Sequence, residues 1–170
     1  MNLEEAILTR RSVRKYAEGE IPQKDIEKIL KAAMMCPSAC NRRAYEFAVV
    51  RSREKLEEIA AISPNFHMAA GAACAIIVCG RPDLEAGMGR EFWPQDCSAA
   101  TQNILLEAWD CGYGTCWCGT YPVEERVEKV KKVLGIEDEN VVPFAVITMG
   151  IPAESPAAKG FYEESKVKYY

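Results

Sequence analysis

The 170-residue chain has only one histidine, His67. A Ser-His-Asp arrangement or a His-rich metal centre would therefore have to be built around that one position, and a lone histidine is more often a capping or packing residue. No Gly-x-Gly-x-x-Gly follows a first strand and no Gly-x4-Gly-Lys-Ser/Thr is present, so the ordinary dinucleotide and nucleoside-triphosphate loops are absent. No apolar run approaches membrane-spanning length. The start carries Glu4 and Glu5 in place of an apolar signal core, and a cytoplasmic location is expected. Basic residues are not in excess: the net charge is −4, which argues against generic nucleic-acid binding. Repeats, low-complexity stretches and linkers are also lacking.

What is present suits one domain that buries about 70% of its unfolded surface. Apolar residues make up 49% and charged residues 27%, the proportions of an ordinary globular chain. Eight cysteines are many for this length. In a cytosolic chain they are expected as thiols, and Cys74 and Cys79 sit in apolar runs where cysteine serves as a small hydrophobe. The pairs Cys36-x3-Cys40 and Cys116-x-Cys118 could supply four thiolates to a metal, but they lack the knuckle spacing of such sites in both halves.

Hydrophobic spacing predicts an amphipathic helix over Leu3–Leu8, with Leu3, Ala6 and Ile7 on a buried face. A second helix runs from Pro22 to before Pro37. The loop Cys36–Arg43 leads to a strand over Tyr45–Val50, then a helix from Arg53 to Ile62. A buried strand covers Ala73–Cys79, and the longest helix spans Pro94–Asp110, with Ala100, Ile104, Leu105, Ala108 and Trp109 along its apolar stripe. A glycine-bearing segment, Cys111–Gly119, turns into a short strand; a helix over Val123–Leu134 stops at Gly135; a strand spans Val141–Met149. Periodicity alone leaves a doubly wound sheet and an α+β sandwich open. The tail from Ala153 to Tyr170 has little helical pattern, and its aromatic residues Phe161, Tyr162, Tyr169 and Tyr170 suggest packing on a neighbouring subunit.

Four segments carry candidate chemistry. Arg10-Arg11-Ser12-x-Arg14 sets three guanidinium groups within five residues at a helix C-terminus, where cations suit the macrodipole and where an anion would relieve their repulsion. Read by charge alone, the same cluster is a solvated helix end. Pro37-Ser38-Ala39-Cys40-Asn41 offers hydroxyl and amide groups in a loop. Gly112–Gly119 offers bare backbone N–H groups close to any ligand. Gly150-Ile151-Pro152 with Lys159 offers a turn and a further cation. Together they suit an anionic ligand that carries a flat, hydrogen-bonding ring.

The order of these segments, with Gln95-Asp96, Ala100, Gln102-Asn103 and Leu105-Leu106 between them, resembles the nitroreductase family of FMN-dependent oxidoreductases from about Leu3 to Pro152. The resemblance implies an α+β fold: a three-layer α/β/α sandwich with a mixed, mainly antiparallel sheet, in an obligate homodimer. Residues 1–152 would form one FMN-binding domain, and 153–170 a tail on the partner subunit. It further implies ping-pong electron transfer from NADH or NADPH through FMN to a nitroaromatic, quinone or similar small acceptor. A flavin-binding carrier or sensor without turnover is the other class. Carried over by position, Arg10, Arg11 and Ser12 hold the phosphate and ribityl end, with Lys159 as a second phosphate cation, and Arg14 meets the pyrimidine carbonyls. Pro37, Ser38, Ala39 and Asn41 come from the partner subunit. The backbone of Cys116, Trp117, Cys118 and Gly119 faces the flavin N5 edge. No side chain is assigned catalysis and no metal is implied.

Three departures stand out. Where the family reads Asn-x-Gln-Pro-Trp, this chain has Asn41-Arg42-Arg43-Ala44-Tyr45, so Arg43 either favours an acidic acceptor or pairs with Glu46. Cys118 joins Cys116 beside the N5 edge, as an exchangeable dithiol or as buried packing. Only about a dozen residues, Arg81–Phe92, link the third strand to the long helix, which predicts an open pocket.

Overall fold

The computed structural model describes residues 1–85, 90–157, 160 and 162–170. The chain runs α1 (Leu3–Thr9), β1 (Tyr16–Ala17), α2 (Gln23–Met34), β2 (Tyr45–Val50), α3 (Arg53–Ala61), β3 (Cys74–Gly80), α4 (Trp93–Asp110), β4 (Gly114–Gly119), α5 (Glu124–Leu134) and β5 (Val142–Pro152). The spacing-based elements all form within a few residues of their expected ends. Among those missed are the two-residue β1, too short for any alternation to register, and the 3-10 turns of Pro64–Gly71, which carry no helical stripe.

The sheet order is β1-β5-β3-β2, and β4 also pairs with β5. Every ladder is antiparallel, and the one parallel contact among the described residues is an isolated bridge between Ser12 and Thr115. This decides the alternative that periodicity left open in favour of α+β. Side chains alternate across the sheet as strand geometry requires. Ile76 and Val78 of β3, with Ala145, Ile147 and Met149 of β5, pack under α2 and α4. Ala75, Ile77 and Cys79, with Val146, Cys116 and Cys118, pack on the opposite face, under α3, α5 and the Pro64–Gly71 turns. Two buried faces make three layers, and they explain why β3 reads as an unbroken apolar run.

Helix α1 departs from expectation. Only Ala6 is buried; Leu3, Ile7 and Leu8 are 71%, 53% and 63% exposed. This seven-residue helix buries a single small side chain, so its remaining apolar residues lie outside the core of this chain. Trp109 likewise leaves the core, and its Nε1–H donates to Thr9 Oγ1 at 2.9 Å, which ties α4 to the end of α1. Among the described residues no helix is long and apolar enough to cross a membrane.

Ile147 is fully buried in the middle of β5. Ile147→Ala should lower unfolding stability by about 2–5 kcal/mol, the cost of a large-to-small core change; a denaturant titration checks it.

Candidate functional site

The basic segment is seated on β4. Val13 N–H donates to the Thr115 carbonyl at 2.9 Å, next to the Ser12–Thr115 bridge. The seat exists because residue 114 has no side chain: a Cβ there would stand 2.7 Å from Val13 Cβ. Gly150 does the same for the Tyr16 ring, which a Cβ would meet at 2.9 Å. The Tyr16 hydroxyl donates to the Val13 carbonyl at 2.8 Å and lies 2.8 Å from Thr148 Oγ1. Burial pushes the Tyr16 pKa well above its ordinary value, so this tether is uncharged. From the start of the tail, the Glu154 carboxylate accepts the Arg14 N–H at 2.6 Å and the Lys15 N–H at 3.2 Å, and Ala153 N–H donates to the Lys15 carbonyl.

These contacts leave a cavity of about 140 Å³ lined by Arg10, Arg11, Ser12, Arg14, Pro156 and Ala157. Arg10, Arg11, Ser12 and Arg14 are thus brought together as expected, though not in equal roles. The Arg11 guanidinium turns back and donates to the Leu8 and Arg10 carbonyls, both at 2.8 Å, and so caps α1. Arg10 and Arg14 make no salt bridge among the described residues. Their permanent charges and the small volume between them suit a phosphate-sized anion. Lys159 lies outside the described residues.

Pro37, Ser38 and Ala39 line a different groove, of about 490 Å³, with Phe92, Gln95, Asp96 and Ala99. It shares no lining residue with the arginine cavity. The loop above it is tightly wound: Cys40, Asn41 and Arg43 have φ values of 48°, 54° and 54°, the left-handed region that side chains rarely enter. Ser38 Oγ accepts the Arg43 N–H at 3.0 Å, and Asp96 Oδ1 accepts the Ala39 N–H at 3.0 Å. Asn103 Nδ2 donates to the Ala32 carbonyl at 2.9 Å. Asp96 and Asn103 therefore join α4 to the loop and to α2. Both were visible in the sequence as motif residues without an assigned role; their task depends on α4 and α2 lying side by side, which no local signal encodes. Glu46 is taken by Arg81, at 2.9 Å, so it does not pair with Arg43.

In β4 the Trp117 ring faces the α2/α4 side, 5.9 Å from Phe144 in centroid distance. The Cys116 and Cys118 thiols point the other way into the core, with Cys118 Sγ 3.5 Å from Met68 Sδ. Hydrogen bonding from Cys118 lowers the Cys116 pKa, against the opposing effect of burial and with help from the charges of Arg14, His67 and Arg10; Cys118 is pushed up. Cys36 packs on the opposite face of the sheet from this pair, so the two cysteine pairs do not meet. All eight cysteines are free thiols. His67 is a turn residue, its Nδ1 2.8 Å from the Pro64 carbonyl oxygen.

The cavity gathers the fixed cations of Arg10 and Arg14 on a segment that is bridged to β4 through Ser12 and Thr115. Comparison with known proteins gives the class. The model of the nitroreductase family matches residues 7–67 and 63–151, and the chain belongs to the nitroreductase family. It is 47% identical over 167 residues to a Methanothermobacter thermautotrophicus protein provisionally named NADH dehydrogenase/NAD(P)H nitroreductase, covering 98% of this chain and 86% of that one. A Bacteroides thetaiotaomicron crystal structure with the same provisional name superposes with a TM-score of 0.91 at 40% identity, covering 98% and 95% of the two chains. A Vibrio harveyi protein named NADPH-flavin oxidoreductase is 25% identical over 168 residues, covering 93% of this chain and 69% of that one.

Gly114→Ala should displace Val13 and with it the basic segment, at a cost of about 1–3 kcal/mol for overpacking. Gly119→Ala, where a Cβ meets nothing within 4 Å, should cost less. Thermal unfolding of the two variants makes the comparison.

Proposed function

We propose that the chain is an FMN-dependent NAD(P)H oxidoreductase that works as a homodimer in the cytoplasm. The observation that carries this reading is the arginine cavity seated on β4. Arg10, Ser12 and Arg14 fit a phosphoryl group and the polar edge of a flat ring, and the β4 backbone from Cys116 to Gly119 continues from them. When bound, FMN supplies the redox chemistry, accepting a hydride from NADH or NADPH and then giving electrons to a nitroaromatic, quinone or similar acceptor in a ping-pong cycle. The protein's share is to bind and to tune. Arg10 and Ser12 anchor the anionic end, with Lys159 in the same role; Arg11 shapes the cavity by capping α1. Arg14 places a cation at the pyrimidine carbonyls, where it favours added negative charge. The names of the Methanothermobacter and Vibrio relatives, with nicotinamide donors in both and flavin in one, agree with this assignment.

The second subunit enters because one chain does not assemble all the candidate residues around one cavity. Pro37, Ser38 and Ala39 belong to a groove of their own, and with Asn41 of the same loop they are assigned to the partner's FMN. Leu3, Ile7 and Leu8 of α1, with Met34 and Met35 at the end of α2, leave apolar surface uncovered, which a second copy would bury. Tyr162, Tyr169 and Tyr170 of the tail are exposed in the same way, and residues 153–170 are assigned to the partner's surface beyond the Glu154 contact. Free thiols throughout the chain agree with a reducing compartment.

The test is an anaerobic visible spectrum of the purified protein before and after NADH, then NADPH. Flavin bands that bleach are expected; a colourless protein that takes up no added FMN would overturn the assignment. Arg14→Ala should weaken FMN retention by roughly ten- to a hundredfold, the worth of a hydrogen bond to a charged group, measured by flavin fluorescence titration. Deleting residues 166–170 should weaken dimerisation and FMN retention together, read by sedimentation and flavin content.

A further inference from the structure

Asp96, which lines the groove beneath Pro37–Ala39, and Glu85 next to it have no part in the reading above. Asp96 and Glu85 are both buried, 5% and 6% exposed. Asp96 Oδ1 is occupied by the Ala39 N–H. Its Oδ2 and both carboxyl oxygens of Glu85 have no hydrogen-bond partner among the described residues. Buried polar atoms are rarely left in that state, and two adjacent carboxylates stripped of water repel as well. One proton held between Asp96 Oδ2 and Glu85 removes the difficulty. It pairs two of the three orphaned oxygens and leaves a single negative charge, directed through Asp96 Oδ1 at the loop.

We propose that Glu85 and Asp96 form a proton-sharing carboxyl pair whose singly charged state holds the Pro37–Asn41 loop, through Ala39, in its flavin-receiving shape. Glu85 is thereby a positioning residue, acting on the loop through Asp96. The assignment of the loop to FMN rests on the function proposed above; the shared proton does not. The loop needs such a hold because Cys40 and Asn41 within it, and Arg43 just after it, keep left-handed backbone that is costly to maintain without support.

The surroundings agree. Burial raises the Glu85 pKa, followed by the charge of Asp96 and hydrogen bonding to it, while the nearby Phe92 backbone N–H acts more weakly in the opposite direction. Facing the pair are Cys36 from beyond α2, Tyr45 from β2 and Cys97 from α4, and burial pushes all three upward, Tyr45 to about 12. None of these three carries charge near neutral pH. On the approach, Arg81 is engaged by Asp83 at 2.7 Å and Glu46 at 2.9 Å. The sign of the effect follows. The folded chain keeps a proton on Glu85 that the unfolded chain loses near its ordinary value of about 4.3. Stability and loop order are complete below that value and are lost as pH rises through the raised folded one, when a second buried charge appears.

The experiment follows thermal unfolding and FMN affinity of the full-length chain from about pH 5 to about pH 9, for wild type and Glu85→Gln, which keeps the shape and cannot ionise. Wild type should lose both stability and affinity as pH rises, the affinity by no more than the roughly tenfold per pH unit that one linked proton permits. Glu85→Gln should flatten both curves and exceed wild type in stability at the alkaline end. A Glu85→Gln variant with the wild-type slope, or with lower stability at every pH, would overturn the proposal. Infrared spectroscopy of wild type supplies an independent reading: a protonated carboxyl C=O stretch should be present at neutral pH, and its absence would also overturn the pair. A wild-type chain that takes up no FMN refutes the cofactor assignment alone, since the stability curves and the infrared band still decide the shared proton.

Discussion

Strand β5 is paired along both edges, and the placement of the site follows from that. One edge takes β3 from Val142 to Met149 and the other takes β4 from Ala145 to Gly150, with β1 paired further along at Ile151 and Pro152. An eleven-residue strand with both edges occupied and both faces covered has little freedom to slip, because a one-residue shift would turn Ala145, Ile147 and Met149 out of one core and into the other. Through β4 and β1 it brings a segment from the start of the chain against a strand more than a hundred residues later. The arginine cavity is a by-product of that register, and the seating of Val13 and Tyr16 beside it depends on bare glycines at 114 and 150.

Helix α4 plays the corresponding part on the other side. Its apolar stripe of Cys97, Ala100, Ile104, Leu105 and Ala108 fastens it to the sheet, which frees its polar residues for work at the edges. Asp96 reaches the loop, Asn103 reaches α2, and Trp109 reaches α1. The arginine cavity and the Pro37–Ala39 groove are thus held by different elements of the same chain. The cysteines take no comparable part. Cys116 and Cys118 interrupt the outer strand beside the site, yet their thiols face away from Trp117 into the core, and strand alternation alone is enough to put them there.

Much of this was legible before any coordinates. The 3.6-residue spacing of Ile26, Ile29, Leu30 and Ala33 and the apolar run Cys74–Cys79 marked α2 and β3, because burial on a regular element leaves a periodic record. The ordered motifs pointed to the family and to a cation cluster at the end of α1. The same periodic reading failed on Leu3 and Ile7, where helical spacing correctly marked an apolar face but could not say that this chain lacks the surface to cover it.

The sequence by itself determined the elements, the family and the chemical character of the candidate ligand, since propensity, spacing and charge are local properties of the chain. Only the tertiary structure decided which residues share a cavity. It turned Arg11 onto the α1 carbonyls, gave Glu46 to Arg81 instead of Arg43, set Ser12 against Thr115, and buried Glu85 beside Asp96. Each of these joins residues through a third element whose position depends on packing and sheet register across the whole chain. Pairwise contacts of that kind leave no period in the sequence.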